Sequence, residues 1–140
     1  MHLKNKRILI TGGVGFIGSH LVDSLSESND VIIFDNLSSG KIEKIKHNLE
    51  KENVKLVKGD LTKKHDLFKI MDDYDVVFHL SANPEVKIDD FKTHFQENVY
   101  ATYNLIEMLK EINTGMVVFT SSSTVYGEPK KYQHQKIMAL

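Results

Sequence analysis

Five short apolar runs divide the chain, and they have the character of buried strands. They lie at residues 7–10, 31–34, 54–57, 76–80 and 116–120 and read RILI, VIIF, VKLV, VVFHL and MVVFT. The runs are rich in β-branched residues and almost continuously hydrophobic, as in strands that are covered on both faces of a parallel sheet. The pattern therefore predicts five strands of such a sheet.

Segments with helical spacing lie between these runs. Residues 15–27 form the first, and its apolar side carries Phe16, Ile17, His20, Leu21 and Leu25. A shorter segment has Leu67, Ile70 and Met71 on one side, and the longest, about 90–112, has Val99, Tyr103, Ile106 and Leu109 along one face. Spacings of three and four residues bring such side chains together on a helix, so each segment is predicted to be helical.

The alternation of strands and helices predicts an α/β fold. Right-handed crossovers between parallel strands give a doubly wound sheet. We expect a Rossmann-like parallel sheet of about five strands in the order 3-2-1-4-5. No repeat, low-complexity tract or internal boundary divides the 140 residues, a length that suits one domain.

Composition narrows the functional classes. The 18 basic and 19 acidic residues leave a net charge of −1, which gives no electrostatic footprint for nucleic acid. No apolar run approaches the ~20 residues that span a bilayer, and the start of the chain has no signal-peptide cleavage region. We therefore expect no membrane attachment and a cytoplasmic location. The lack of cysteine excludes disulfides, and the seven histidines have no paired metal-ligand spacing, so we expect no metal site.

A glycine-rich stretch, TGGVGFIGSH, follows the first predicted strand directly. It fits two dinucleotide-binding spacings, one through Gly13, Gly15 and Gly18 and one through Gly12, Gly15 and Gly18. Glycine is needed because the backbone must turn sharply, approach a pyrophosphate and let the helix pack close to the strand. An ATP-binding loop of the Walker type would require a lysine where Ser19 stands.

Asp35 ends the second predicted strand, 17 residues after Gly18. A carboxylate at this place accepts hydrogen bonds from both ribose hydroxyls and repels a 2′-phosphate. The glycine loop and Asp35 together predict a site for NAD in preference to NADP.

With four further stretches, these residues make the chain resemble the N-terminal part of an extended short-chain dehydrogenase/reductase, specifically of the UDP-glucose 4-epimerase type. The similarity runs from about residue 7 to Pro129 and rests on six motifs in order: TGGVGFIGSH, FDNLSSG, GDL, HLSANPEV, ENVYATYNLIE and SSSTVYG. The resemblance implies an incomplete NAD-binding domain over residues 1–129 and a UDP-sugar as the substrate of the full-length family.

The resemblance also implies a set of cofactor contacts. The pyrophosphate would lie on Gly12, Gly15, Phe16, Ile17 and Gly18, the adenosine ribose on Asp35 and Asn36, and the adenine beside Asp60 and Leu61. Leu80, Ser81 and Ala82 would run beside the cofactor, and Asn98 would bridge backbone groups near it, since asparagine is a poor helix former. Two alternatives stay open, namely Asn36 as a simple turn residue and Asp60 as a cap of the next helix.

Ser122 is the residue that the resemblance assigns to the reacting hydroxyl of the substrate, with Ser121 and Ser123 as open alternatives. In the family's reaction, NAD takes a hydride from C4 of the sugar and returns it to the other face, while a tyrosinate removes the hydroxyl proton. A lysine four residues after that tyrosine favours the phenolate, because a phenol with a pKa of ~10 is a poor base at neutral pH. We interpret His79 as a packed strand histidine.

Tyr132 and Lys136 reproduce this spacing, but they follow Ser122 too closely to be the family's pair. The segment 130–140 has no capping residue and is shorter than the ~12–15 residues of a marginal isolated helix. Read in a shifted frame, the codons after Lys131 spell a Pro-rich loop of the kind that the family has before its catalytic tyrosine. We therefore expect 130–140 to be an out-of-frame tail, with the catalytic helix and the substrate domain absent.

On this interpretation the fifth strand is an exposed edge. Such an edge predicts self-association, either as a homo-oligomer or by aggregation, and the missing parts predict little or no epimerase activity. Two other functions stay open. One is a related enzyme of the superfamily, such as a sugar-nucleotide dehydratase or reductase or a threonine dehydrogenase, and the other is a non-catalytic NAD-binding module.

Overall fold

The structure, a computed structural model, describes residues 3–85 and 90–127. Within these residues the chain forms one parallel sheet in the order β3-β2-β1-β4-β5. The strands are β1 (Arg7–Thr11), β2 (Asp30–Asp35), β3 (Val54–Lys58), β4 (Tyr74–His79) and β5 (Thr114–Phe119). Each contains most or all of one apolar run, so the predicted Rossmann-like sheet and its strand order are confirmed.

Helices connect the strands of the sheet. α1 (Phe16–Leu25) joins β1 to β2, and α2 (Lys64–Leu67) lies between β3 and β4. A continuous helical stretch before β5 consists of α3 (Phe91–His94), a π-helical segment (Phe95–Tyr100) and α4 (Ala101–Leu109). Short 3-10 turns lie at Ile42–Lys44, Phe68–Ile70 and Ser123–Tyr126. Among the described residues, no helix is long and apolar enough to cross a membrane.

Two apolar clusters cover the two faces of the sheet. Successive side chains of β1 alternate between them, because neighbouring residues of a strand point to opposite faces. Ile8 and Ile10 pack in the cluster that contains Val22 of α1, whereas Leu9 packs in the cluster that contains Leu105 of α4. The three β1 residues are fully buried. The C-terminal end of β1 is therefore held firmly from both sides.

α1 turns only part of the apolar side that its spacing indicated towards the sheet, because Leu21 and Leu25 pack against the core while Phe16 and Ile17 do not. Phe16 and Ile17 are 72% and 64% exposed, while Gly18, Ser19 and Val22 are buried. The small residues at 18 and 19 let the helix axis lie close to β1, and a larger side chain on that side would hold it away. Phe16 and Ile17 consequently remain at the surface beside the glycine loop.

The long helical stretch shows the same kind of difference. Val99, Tyr103 and Ile106 are 54%, 51% and 50% exposed. Of the predicted face, Leu109 is buried as expected, and it shares the buried side of α4 with Ala101, Asn104, Leu105 and Met108. Both sides are apolar, so their spacing could not select one. The wider turn of the π-helical segment also shifts the residues before α4 from their α-helical phase.

β5 is the end strand of the sheet within the described residues and pairs with β4. Met116 and Val117 are 44% and 48% exposed, whereas their register partners Val76 and Val77 on β4 are 3% and 0% exposed. The two residues point to opposite faces. Both faces of β5 are thus only partly covered in the part of the chain that the structure describes.

Candidate functional site

The glycine-rich stretch forms a tight loop between β1 and α1. Gly12 has a φ of +72°, in the left-handed region that favours glycine. A Cβ on Gly18 would lie 2.3 Å from the carbonyl oxygen of Gly12, and one on Gly15 would lie 3.2 Å from the same atom. Gly15 is the N-cap of α1 and makes no side-chain cap, so the first N–H groups of this ten-residue helix face the loop. This geometry uses the spacing through residues 12, 15 and 18.

The carboxylate of Asp35 joins the end of β2 to this loop. Its Oδ2 accepts a hydrogen bond from the backbone N–H of Val14 at 3.0 Å, and its Oδ1 accepts from Leu37 N–H at 2.8 Å. Asp35 is 8% exposed. Each carboxylate oxygen has further lone-pair capacity, so the group can still accept two ligand hydroxyls. Backbone contacts therefore hold Asp35 ready at the mouth of the loop.

The residues after Asp35 form a turn that packs on the glycine loop. Asn36 Oδ1 accepts from Ser38 N–H at 3.0 Å, which is the turn role that the sequence had left open. Leu37 has a φ of +61°, a conformation that L residues rarely adopt. A Cβ on Gly40 would lie 2.7 Å from the carbonyl oxygen of Val14, so this turn approaches the loop backbone directly.

Asp60 also makes a turn of its own. Its Oδ1 accepts from the backbone N–H and the hydroxyl of Thr62, at 2.9 and 2.8 Å. The N-cap of α2 is Lys63, without a side-chain cap, so Asp60 does not cap that helix. The next carbonyl, that of Leu61, accepts from the side-chain amide of Asn104 on α4 at 2.9 Å. Sequence reasoning missed Asn104, although its place inside an apolar helix was a usable signal.

Asn98, in the π-helical segment, bridges the backbone of Asn83. Its Oδ1 accepts from Asn83 N–H at 2.7 Å, and its Nδ2 donates to the Asn83 carbonyl at 3.2 Å. The stretch that leads from β4 to Asn83 is held at its start by β1, because Leu80 N–H donates to the carbonyl of Thr11 at 3.1 Å. We call residues 81–84 the wall segment. π-Helical turns are frequent at functional sites.

Most of the predicted cofactor contacts line one cavity of about 340 Å³. It is bordered by the glycine loop, the turn after β2, the turn after β3 and the wall segment. The predicted residues that it collects are Gly12, Gly15, Asp35, Asn36, Asp60, Leu61, Leu80, Ser81 and Ala82. Gly18 lies buried beneath the loop, and Phe16 and Ile17 are exposed at the start of α1. No group of three potential metal ligands occurs among the described residues.

A second cavity of about 710 Å³ lies on the other side of the wall segment. Asn98 borders it together with Phe119, Ser121 and Ser122. Ser122 is exposed on the segment that follows β5. The structure thus places Ser122 across the wall segment from the residues of the first cavity. Tyr132 and Lys136, and with them the proposed tail, lie outside the described residues.

His79 at the end of β4 is 3% exposed, and burial lowers its pKa to about 4. The side chain is therefore neutral at pH 7 and is packed inside the fold. Its ring nitrogens contact Thr11 and Thr102, two residues that sequence reasoning did not select. Both threonines are distant from His79 along the chain, so no local sequence pattern marked them.

The family model described as "NAD dependent epimerase/dehydratase family" matches residues 8–139. A putative UDP-glucose 4-epimerase from Methanocaldococcus jannaschii is 42% identical over 126 residues, an alignment that covers 87% of this chain and 40% of that protein. The chain thus spans about two fifths of the length of the relative.

Two solved structures extend this likeness to the fold. A UDP-N-acetylglucosamine 4-epimerase from Methanobrevibacter ruminantium, in complex with UDP-N-acetylmuramic acid, has a TM-score of 0.85 and 42% identity over 96% of this chain and 44% of its own. A UDP-glucose 4-epimerase from Bifidobacterium longum, in complex with NAD+ and UDP, has a TM-score of 0.76 and 30% identity, covering 89% of this chain and 39% of its own.

Proposed function

The chain belongs to the NAD-dependent epimerase/dehydratase family, and we propose that it is the NAD-binding part of a sugar-nucleotide 4-epimerase. The observation that carries the proposal is the hydrogen bond from Val14 N–H to the Asp35 carboxylate. It ties the loop that would hold a pyrophosphate to the group that would hold a ribose. The two parts of a dinucleotide site are thereby set at a fixed distance before any ligand binds.

The glycine loop fits a pyrophosphate. Side chains are missing where the backbone is most crowded, as the 2.3 Å approach at Gly18 shows. The N-terminal N–H groups of α1 and the positive end of its helix dipole favour an anion. In our proposal Gly12, Gly15 and Gly18 form this cradle, with Phe16 and Ile17 at its rim. When bound there, NAD would supply a reversible acceptor for the hydride at C4 of the sugar.

The adenosine half would lie between the turns after β2 and β3. The Asp35 carboxylate, whose oxygens each hold one backbone N–H, would accept the two ribose hydroxyls and disfavour a 2′-phosphate by charge repulsion. Asn36 would support this ribose from the neighbouring turn. At Asp60, Thr62 occupies Oδ1, and Oδ2, which has Lys63 Nζ 3.9 Å away, would accept from the exocyclic amine of adenine beside Leu61.

The sugar nucleotide would occupy the second cavity. In our proposal the Ser122 hydroxyl holds the reacting hydroxyl of the sugar, with Ser121 beside it on the same cavity wall. Leu80, Ser81 and Ala82 would lie between most of the cofactor and most of the sugar nucleotide. The reacting atoms of the two ligands would meet at one end of the wall segment. Asn98 fixes that segment through the Asn83 backbone.

Calorimetric titration of the 140-residue chain with NAD and NADP tests the cofactor half of the proposal. We expect NAD to bind and NADP to bind at least tenfold more weakly. Asp35→Asn should weaken NAD binding about tenfold. The carboxylate has two oxygens that accept hydrogen bonds, whereas the amide has one. Discrimination against NADP should also decrease, since the repelling charge is gone.

Asp75→Asn is the matched control. Asp75 likewise accepts a backbone N–H, that of Arg7 at 2.9 Å, and contacts Lys6 Nζ at 2.8 Å, but it does not line either cavity. Its amide variant should keep NAD affinity unchanged. Equal NAD affinity of the Asp35→Asn variant and the parent chain would contradict the proposed site.

Saturation-transfer NMR with UDP-glucose and UDP-N-acetylglucosamine tests the sugar-nucleotide half. We expect a signal on the uridine and sugar protons when NAD is present. Binding of NAD without any UDP-sugar signal would favour a non-catalytic NAD-binding module instead.

A further inference from the structure

His79 lies in a chain of hydrogen bonds that runs through the C-terminal edge of the sheet. Its Nδ1 lies 2.7 Å from Thr11 Oγ1, and its Nε2 lies 2.8 Å from Thr102 Oγ1. On one side, Thr11 Oγ1 accepts from the backbone N–H of Ser81 at 3.4 Å. On the other, the Thr102 hydroxyl donates to the carbonyl of Asn98 at 2.7 Å. The chain therefore begins at the wall segment and ends at the π-helical segment.

The side chain of Asn98 closes this chain into a circuit. Through its two bonds to Asn83 it returns from the π-helical segment to the wall segment. Ser81 and Asn83, two residues apart, are thus held from opposite ends of the same series of contacts. We call this series the His79 circuit.

The partners determine which ring nitrogen carries the proton. A carbonyl can only accept, so the Thr102 hydroxyl proton is committed to Asn98. Thr102 Oγ1 must then accept from His79, which places the proton on Nε2. In the neutral ring Nδ1 is an acceptor, so the Thr11 hydroxyl donates to it and uses a lone pair for the Ser81 N–H. Every member has a consistent role in one tautomer.

The His79 ring is also fixed by packing. It is 3% exposed and stacks on Phe119 of β5 with ring centroids 5.6 Å apart and planes inclined by 27°. A protonated ring would have to donate at both nitrogens while remaining buried, which is costly without a compensating anion. The neutral form is the one that this environment accepts.

The wall segment separates the two cavities. Ser81, Ala82, Asn83 and Pro84 line the cavity of about 340 Å³ and also the cavity of about 710 Å³. A displacement of this segment would narrow one cavity and widen the other. Whatever fixes the wall segment thereby sets the geometry of both proposed ligand sites.

We propose that His79, as the neutral Nε2–H tautomer, is a positioning residue that fixes the wall segment between the first cavity, of about 340 Å³, and the second cavity, of about 710 Å³. It touches neither ligand and acts through Thr11, Thr102 and Asn98. The effect on NAD affinity rests on the proposed function, whereas the tautomer and the rigidity of the wall segment do not.

Two variants test the circuit from different directions. His79→Phe keeps an aromatic ring against Phe119 but removes both ring hydrogen bonds. Thr102→Val keeps the shape of that side chain and removes the acceptor for Nε2–H. We expect each variant to weaken NAD binding about tenfold and to accelerate amide hydrogen exchange at Ser81 and Asn83 about tenfold, the scale of one lost buried hydrogen bond.

Tyr74→Phe is the matched control on the same strand. Tyr74 is also 3% exposed, and its hydroxyl donates one buried hydrogen bond, to the carbonyl of Ile70 at 2.8 Å. It lies at the other end of β4 and borders neither cavity. Its variant should lose thermal stability while NAD affinity and exchange at Ser81 and Asn83 stay unchanged.

Nitrogen-15 NMR of the histidine ring supplies the readout that a merely packed residue would not give. The parent chain should show the Nε2–H tautomer for His79 across pH 6 to 8, and Thr102→Val should move the ring toward the Nδ1–H form. A His79 ring found as the Nδ1–H tautomer in the parent chain would overturn the proposal. So would circuit variants that match Tyr74→Phe in both exchange and NAD affinity.

The design separates the two failures. If the parent chain binds no NAD, the proposed function fails, and amide exchange at Ser81 and Asn83 alone then decides whether His79 positions the wall segment. If NAD binds but the circuit variants match Tyr74→Phe in both NAD affinity and amide exchange, the proposed function stands and the role of His79 is refuted.

Discussion

The side-chain amide of Asn104 donates to the carbonyl of Leu61 at 2.9 Å and so connects α4 to the turn after β3, across 43 residues of sequence. Asn104 is 1% exposed, and its Oδ1 has no hydrogen-bond partner among the described residues. An asparagine in this setting does not serve helix stability, since it is a poor helix former. Its contact with Leu61 instead fixes the turn that borders the cavity of about 340 Å³.

We expect Asn104→Leu to lower the free energy of unfolding by about 1 kcal/mol, because the buried Leu61 carbonyl loses its donor and the removal of the unpartnered Asn104 oxygen offsets part of that cost. Affinity for ADP-ribose should nevertheless fall about fivefold, while affinity for nicotinamide mononucleotide stays unchanged. Calorimetric titration with the two half-ligands measures this. Equal losses for both halves would mean that the substitution disturbs the whole fold.

The glycine loop should separate stability from ligand binding. Gly18→Ala places a Cβ 2.3 Å from a backbone oxygen, which cannot move aside, so we expect about 3 kcal/mol of destabilisation. Gly15→Ala places its Cβ at 3.2 Å from that oxygen and should cost about 1 kcal/mol or less. Its methyl group would still crowd a pyrophosphate. Urea unfolding and NAD titration of both variants check this order, and equal stability of the two would contradict it.

Burial of His79 should make stability depend on pH. The pKa is about 4 in the folded chain against 6.5 for an unperturbed histidine, so the unfolded chain binds the extra proton first. The stability that comes from a neutral His79 is therefore full above pH 6.5 and decreases as pH falls towards 4, by about 3 kcal/mol in total.

Three aspartates act in a lower pH range. Side-chain hydrogen bonds lower the pKa values of Asp66, Asp73 and Asp75, so their contribution to stability is lost only as pH falls below about 3.8.

Urea unfolding at several pH values measures the decrease that comes from His79. His79→Phe should be less stable at pH 7 but should lose much less stability between pH 6.5 and 4. A parallel decrease in the variant and the parent chain would assign the effect to other groups.

The orientation of α4 can be tested by paired alanine substitutions. Leu105 is 1% exposed, and Leu105→Ala should cost about 2–4 kcal/mol. Tyr103 is 51% exposed, and Tyr103→Ala should cost about 0.5 kcal/mol or less. Chemical denaturation of both variants measures the difference. A larger loss of stability for Tyr103→Ala than for Leu105→Ala would mean that the side of α4 indicated by the sequence spacing is the one that faces the sheet.

The partly covered β5 should promote self-association of the chain. Met116 is 44% exposed on this end strand, and Met116→Lys should shift the chain towards monomer, because a charge on an edge strand opposes pairing with a second chain. Light scattering after size-exclusion chromatography measures the mass. Phe68→Lys is the control, since Phe68 is 69% exposed but lies outside the sheet. An equal effect of both substitutions would indicate nonspecific solubility.

The sequence by itself determined the sheet, its strand order and the location of the glycine loop and Asp35. Continuous β-branched runs can be stable only where both faces are covered, and the glycine spacing leaves one backbone path from strand to helix. These signals are local, so they could be recognised without a structure.

Tertiary structure alone decided the exposure of Phe16 and Ile17, the side of α4 that faces the sheet, and the partners of His79 and Asn104. Thr11 and Thr102 reach His79 from 68 and 23 residues away. α4 is apolar on two sides, and the sheet selects one of them through close packing. Such choices depend on contacts between distant segments, which exist only after the strands have assembled.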